Sequence, residues 1–188
     1  MLAKFFGLKM KTLEEEKQEK ETQYYKFIDT CAKKEKYYKI YNLVDDRISY
    51  VLKIIFRYAT KEVYIFGRRF DIEVFSGWNL ISEAVNFLQK PNSVLKIAYR
   101  DPMDMNDFQK GEFLRGVLNL PIKGEVEIFD ASKITNINDI SFFVNDLHWY
   151  RMRSSDGECV ANFGNKWVGG FYADLFINNI VKQSCRVY

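Results

Sequence analysis

One histidine, three prolines and three cysteines are all that 188 residues contain of those types. A lone histidine excludes chemistry that needs two in one chain, and it excludes a histidine-rich metal site. Cys31, Cys159 and Cys185 form no CxxC pair, and an odd number cannot all be bridged within the chain. They read as reduced thiols in a cytoplasmic protein. Long apolar runs are missing too: Val51 to Phe56 is the longest, and Lys53 breaks it, so no membrane span is expected. The opening MLAKFFGLKM is interrupted by Lys4 and Lys9, and Glu14-Glu15-Glu16 follow, which argues against a signal peptide. Charge of either sign is in short surplus. The 28 Lys+Arg stand against 25 Asp+Glu, and a net charge of +3 does not by itself mark a nucleic-acid binder.

What is abundant is apolar and aromatic. Hydrophobic residues make up 47% of the chain and aromatics 16%, with 16 Phe and 12 Tyr, enough to bury a core in a single domain. Residues 1–35 are charged and, from Thr12 on, free of Gly and Pro, which predicts a solvated helical extension with pairs such as Glu16–Lys20 four residues apart. From Tyr37 an apolar stripe (Tyr37, Tyr41, Val44, Ile48, Val51, Ile55, Tyr58) advances in steps of four and three. It predicts a long helix laid on a sheet or, as the alternative, a coiled-coil seam.

After Ala59-Thr60 the period changes to two. Val63 to Phe66, Val94 to Tyr99 and Val126 to Phe129 read as strands. Between them lie helices opened by Ser76 to Asn79 and spanning about 106–118. Strand and helix alternate here with short links, which calls for a mixed, mostly parallel sheet flanked by helices. The last third differs: Ile140 to Val144, Trp149 to Met152 and Glu158 to Ala161 are three short strands. Ser154-Ser155-Asp156-Gly157 forms a hairpin turn, and a closing helix runs from Trp167 to Val181 with Val168, Phe171, Leu175, Phe176 and Ile180 on one side.

Several constellations compete for a function. His148 to Arg153 (HWYRMR) is dense in functional side chains. Strand alternation puts Trp149, Arg151 and Arg153 on one face, as a surface that stacks a base and grips phosphate, or as arginine stems covering a half-buried Trp. Arg68-Arg69 and Arg100 follow successive strands at one sheet edge, as an anion site or as structural partners of Asp71 and Asp101. Asp101, Asp104 and Asp107 lack the alternation and glycine of a calcium loop, and Asp104 and Asp107 suit a helix N-terminus better. No Glu-x-Lys strand, P-loop, GxGxxG or G-x-S-x-G is present. Cys159 reads as a buried strand cysteine, and no cofactor or metal is implied.

The order of elements, with Asp139-Ile140-Ser141 to Asp146 on a strand entering a hairpin and Val160-Ala161-Asn162-Phe163 on a later one, resembles one half of a phospholipase D-like domain. That family carries His-x-Lys followed by Asp at the first stretch. Here Asp139 stands for the His and Ser141 for the Lys, with Asp146 at the signature's Asp and Asn162 at that of a Ser-x-Asn motif. The resemblance covers about residues 40–182 and implies a phospholipase D-like half spanning 36–188 that has lost its signature. His148 has no lysine two positions on, so paired catalytic halves are excluded even in a homodimer. By analogy with inactive relatives, the resemblance implies a non-catalytic accessory subunit in a nucleic-acid-handling or antiviral defence assembly. A homodimer or a heteromeric partner would cover the sheet edge and the N-terminal helix. The alternatives are direct nucleic-acid binding through Arg68, Arg69, Arg100, His148, Trp149, Arg151, Arg153 and Asn162, or a phosphodiesterase or nuclease with a non-standard acidic site around Asp101, Asp139 and Asp146.

Overall fold

The structure, a computed structural model, describes residues 12–42, 45–68, 75, 78–101, 111–135, 137 and 139–188. Helix α1 (Leu13–Lys33) forms where the sequence is rich in Glu and Lys and lacks breakers. Its far half is not a free appendage. Ile28, Cys31 and Ala32 are buried, Tyr25 stacks on Tyr50 at 4.2 Å, and the Tyr50 hydroxyl donates to Asp29 at 3.2 Å.

The apolar stripe beginning at Tyr37 does not form one helix. Ile40–Tyr41 is a short strand, β1, and α2 spans only Asp45–Tyr58. Tyr37 and Tyr41 are exposed, while Ile48, Val51 and Ile55 are buried. The coiled-coil alternative therefore loses its first turns to a strand: the four-three spacing held across a segment whose backbone hydrogen bonds go to a neighbouring strand instead.

Strand β2 (Glu62–Gly67), α3 (Trp78–Leu88), β3 (Val94–Tyr99), α4 (Glu112–Asn119) and β4 (Glu125–Asp130) follow the expected alternation. Then come β5 (Ser141–Asn145), β6 (Tyr150–Arg153) and β7 (Cys159–Asn162), and α5 (Lys166–Leu175), which runs on as a π-helix (Phe176–Val181) before a last strand β8 (Cys185–Arg186). These make one eight-stranded sheet in the order β1-β7-β6-β5-β2-β3-β4-β8. The fold is α/β with a mixed sheet flanked by helices. Among the described residues parallel pairing is confined to β2–β3 and β3–β4, narrower than the mostly parallel sheet expected, because the last third of the chain returns as antiparallel hairpins on the other side of β2.

Each sheet face has its own core. Val63, Ile65, Leu95, Ile97, Phe143, Trp149 and Phe163 pack with α1 to α4 around Phe56, which meets Phe87, Phe113 and Phe143 edge-on or tilted. On the opposite face Tyr64, Phe66, Phe142 and Tyr150 are covered by Tyr172, Ala173, Phe176 and Ile180 of the last helix. Phe171, placed by its spacing on the inner side of that helix, points outward and is 54% exposed. Each fully buried large side chain of these two cores, such as Phe56 or Phe176, contributes roughly 1.5–3 kcal/mol of transfer free energy.

Candidate functional site

The strand order turns back at β2: β3 and β4 continue on one side, while the chain returns to lay β5 on the other. Ligand crevices of open α/β sheets form outside the carboxyl ends of strands at such a switch point. A cleft of about 440 Å³ lies there. It is lined by Arg68 after β2, Asp101 after β3, Asp139, Ile140 and Ser141 entering β5, Arg153 ending β6, and Ser154, Ser155 and Gly157 of the next turn.

Arg68, Arg100, Asp101 and Asp139 form an ion-pair cluster in the cleft wall. The Asp139 carboxylate takes Arg100 Nη2 on one oxygen and lies 3.5 Å from Arg68 Nη1 on the other. Arg68 Nε lies 3.6 Å from Asp101. Arg100 also donates to the Ile137 carbonyl and lies over the Phe66 ring, 5.9 Å from its centroid, so its guanidinium plane is held. Its side chain is 15% exposed against 62% for Arg68, which makes Arg68 the group a ligand meets first.

The rim is built by a tight turn. Gly157 adopts φ +88, open to glycine without strain, and its N–H donates to the Ser154 carbonyl at 3.0 Å. The Ser154 hydroxyl donates to Asp156 and holds that carboxyl below its usual range, helped by the Glu158 N–H. Register places Arg153 beside Ser141 and Cys159 beside Arg153, so β6 and β5 bring a guanidinium and a hydroxyl to one edge. Sequence reasoning missed Ser154 and Ser155 as lining groups. Their dipeptide signalled a turn, and only the register shows that this turn faces the end of β2.

The other expected site residues lie elsewhere. Trp149 is 2% exposed, packed between Tyr58 and Phe163, so it is not part of a contact surface with Arg153. Alternation put it on the correct face, but that face is the larger core. Arg151 is half-buried, donating to Asn42 at 3.2 Å and to the Cys159 sulfur at 3.2 Å. Asp146 stands at the far end of β5 and accepts from the Thr60 and Lys61 N–H groups and the Thr60 hydroxyl. Asn162, buried at 1% exposure, pairs in register with Tyr150 and accepts from Gly164 and Asn165. Asp139 and Ser141 are thus separated by the length of the strands from Asp146 and Asn162. The motif positions taken together do not form one site.

His148 sits at φ +59 in the turn that follows β5, its N–H donating to the Asn145 carbonyl. Asn145 fixes this turn by accepting from Leu147 and Trp149 and donating to Ile55. Arg69, Asp71, Asp104 and Asp107 fall outside the described residues. Among the described residues no group of three or more His, Cys, Asp or Glu could hold a metal, and no helix is long and apolar enough to cross a membrane.

No family model and no curated protein matches the chain. Its fold is similar to a solved one. TrmBL2, an archaeal chromatin protein whose structure shows a novel mode of DNA binding, aligns with a TM-score of 0.55 at 12% sequence identity. The alignment covers 93% of this chain and 65% of TrmBL2, so the chain spans about two thirds of that protein's length. At that identity the likeness speaks for the fold.

Proposed function

We propose that this protein binds nucleic acid without cutting it, holding backbone phosphate in the cleft at the end of β2. The observation that carries this reading is the convergence of Arg68 and Arg153 with the hydroxyl-bearing Ser141, Ser154 and Ser155 on one cleft. Guanidinium forks match phosphate oxygens bidentately, and serine hydroxyls complete such contacts without reading sequence. Among the described residues the cleft lining holds no histidine, cysteine or lysine. DNA binding by TrmBL2, a fold neighbour, supports the same direction. The reading retains a phospholipase D-like half-domain over 36–188 with Asp139 and Ser141 in the signature's place, and a cytoplasmic setting.

The test is fluorescence anisotropy with short labelled single- and double-stranded oligonucleotides. Two phosphate contacts predict about a tenfold fall in affinity between roughly 50 and 200 mM salt. Affinity that ignores salt, or that survives Arg68→Ala with Arg153→Ala, refutes the reading.

A second reading, the accessory subunit, has its own support. Phe27, Tyr37, Tyr38 and Tyr41 are exposed along α1 and the β1 edge, with Phe27 and Tyr38 ring centroids 6.3 Å apart. Such an aromatic strip suits a protein partner more than a polyanion. A monodisperse monomer by light scattering that captures no partner would leave the nucleic-acid reading alone.

A further inference from the structure

We infer that Asp139 is a built-in competitor for the phosphate group: its carboxylate occupies the fork between Arg68 and Arg100 and must give way when an anion binds. This rests on the phosphate-binding reading of the cleft. One oxygen of Asp139 meets Arg100 and the other lies 3.5 Å from Arg68, so a single carboxylate bridges two guanidiniums as two oxygens of a phosphate would. The side chain is 52% exposed and stands at the cleft mouth, entering β5, so it can swing into water without opening the core. Arg100, 15% exposed, cannot follow it. Arg100 stays in place, and an incoming phosphate restores the negative charge that Asp139 withdraws.

The consequence is selectivity. A singly charged or weakly coordinating anion gains little over the carboxylate already present. A phosphate that also reaches Arg153 and the Ser141 hydroxyl gains contacts that Asp139 does not make. Asp139 therefore sets a threshold that favours a phosphodiester backbone held at several points over a lone small anion.

The experiment uses the full chain and two probes, with inorganic phosphate followed by its effect on the thermal midpoint and a labelled oligonucleotide followed by anisotropy. Asp139→Asn, with Asp139→Ala as a second variant, is expected to bind inorganic phosphate roughly three- to tenfold tighter than the parent, the size of two partly exposed ion pairs removed as competitors. Adding Arg68→Ala should abolish that gain. Phosphate affinity equal to or below the parent's in both variants overturns the inference, because an aspartate that merely positions the arginines would weaken binding when lost. A gain for phosphate with no oligonucleotide binding by any variant leaves the competitor standing and removes the nucleic-acid reading.

Discussion

Gly169 lies directly beneath His148: a Cβ built on Gly169 would stand 1.9 Å from the His148 carbonyl oxygen. The neighbouring Gly170 would meet the imidazole itself at 3.5 Å. The only histidine of the chain is therefore a piece of packing, held in a left-handed turn against the first turn of α5. Replacing a mid-helix glycine by alanine ordinarily gains up to about 1 kcal/mol. Here backbone would have to move, and overpacking costs about 1–3 kcal/mol or more. Gly169→Ala should destabilise the protein by urea denaturation, whereas a free helix surface would show the opposite sign.

Trp149 should matter for stability and not for binding. Trp149→Ala is expected to cost about 3–5 kcal/mol, in the range of large core truncations. Its indole N–H is buried without a hydrogen-bond partner, so Trp149→Phe removes an unsatisfied donor and should cost far less, about 1–2 kcal/mol. Oligonucleotide affinity of the folded Trp149→Phe protein should match the parent's in anisotropy titrations.

Asp146 and Asp139 predict opposite results. Asp146 ties the start of β2 to the end of β5 through the Thr60 N–H at 2.9 Å and the Lys61 N–H at 3.2 Å. Asp146→Ala should lower stability by about 1–3 kcal/mol and leave phosphate binding untouched. Chemical denaturation and the phosphate titration, run on the same preparation, separate the two effects.

Alkaline stability follows from the buried phenols. Burial, then the Asp29 charge and hydrogen bond, push Tyr50 up to about 12, and burial pushes Tyr150 up to about 12 as well. Tyr64 is raised further, by burial first and then by its hydrogen bond to Glu62. In the unfolded chain these groups ionise near their ordinary value of 10.0, while the folded protein keeps the protons. The native state then binds more protons, so stability is full below about pH 10 and falls as pH rises toward 12. Urea midpoints should drop steeply over that window, and Tyr64→Phe should flatten the drop.

The strands and helices from Glu62 to Asn162 were legible because each carries its own signal: alternation in Val94 to Tyr99, or apolar spacing in Leu80, Ile81, Ala84 and Leu88. Strands β1 and β8 were not, since two residues hold no period and only a partner defines them. Of the site, Arg68, Arg100, Asp139, Ser141 and Arg153 were named from the sequence and share one end of the sheet. Trp149, Asp146 and Asn162 were named with them and belong elsewhere. Chemical type is visible in a sequence, but which end of a strand a residue reaches depends on direction and register, which neighbours decide.

The β1 edge is fastened by partners far along the chain: Arg151 donates to Asn42 across 109 residues, and Asn165 to Tyr37 across 128. Such links close large loops before any contact rewards them, and they slow folding. Strand β1 thus leaves the ribosome early yet pairs late, after β7 exists. For that interval the exposed tyrosines and Phe27 stand beside a sheet with an open margin, where a chaperone or a premature neighbour would find its opportunity.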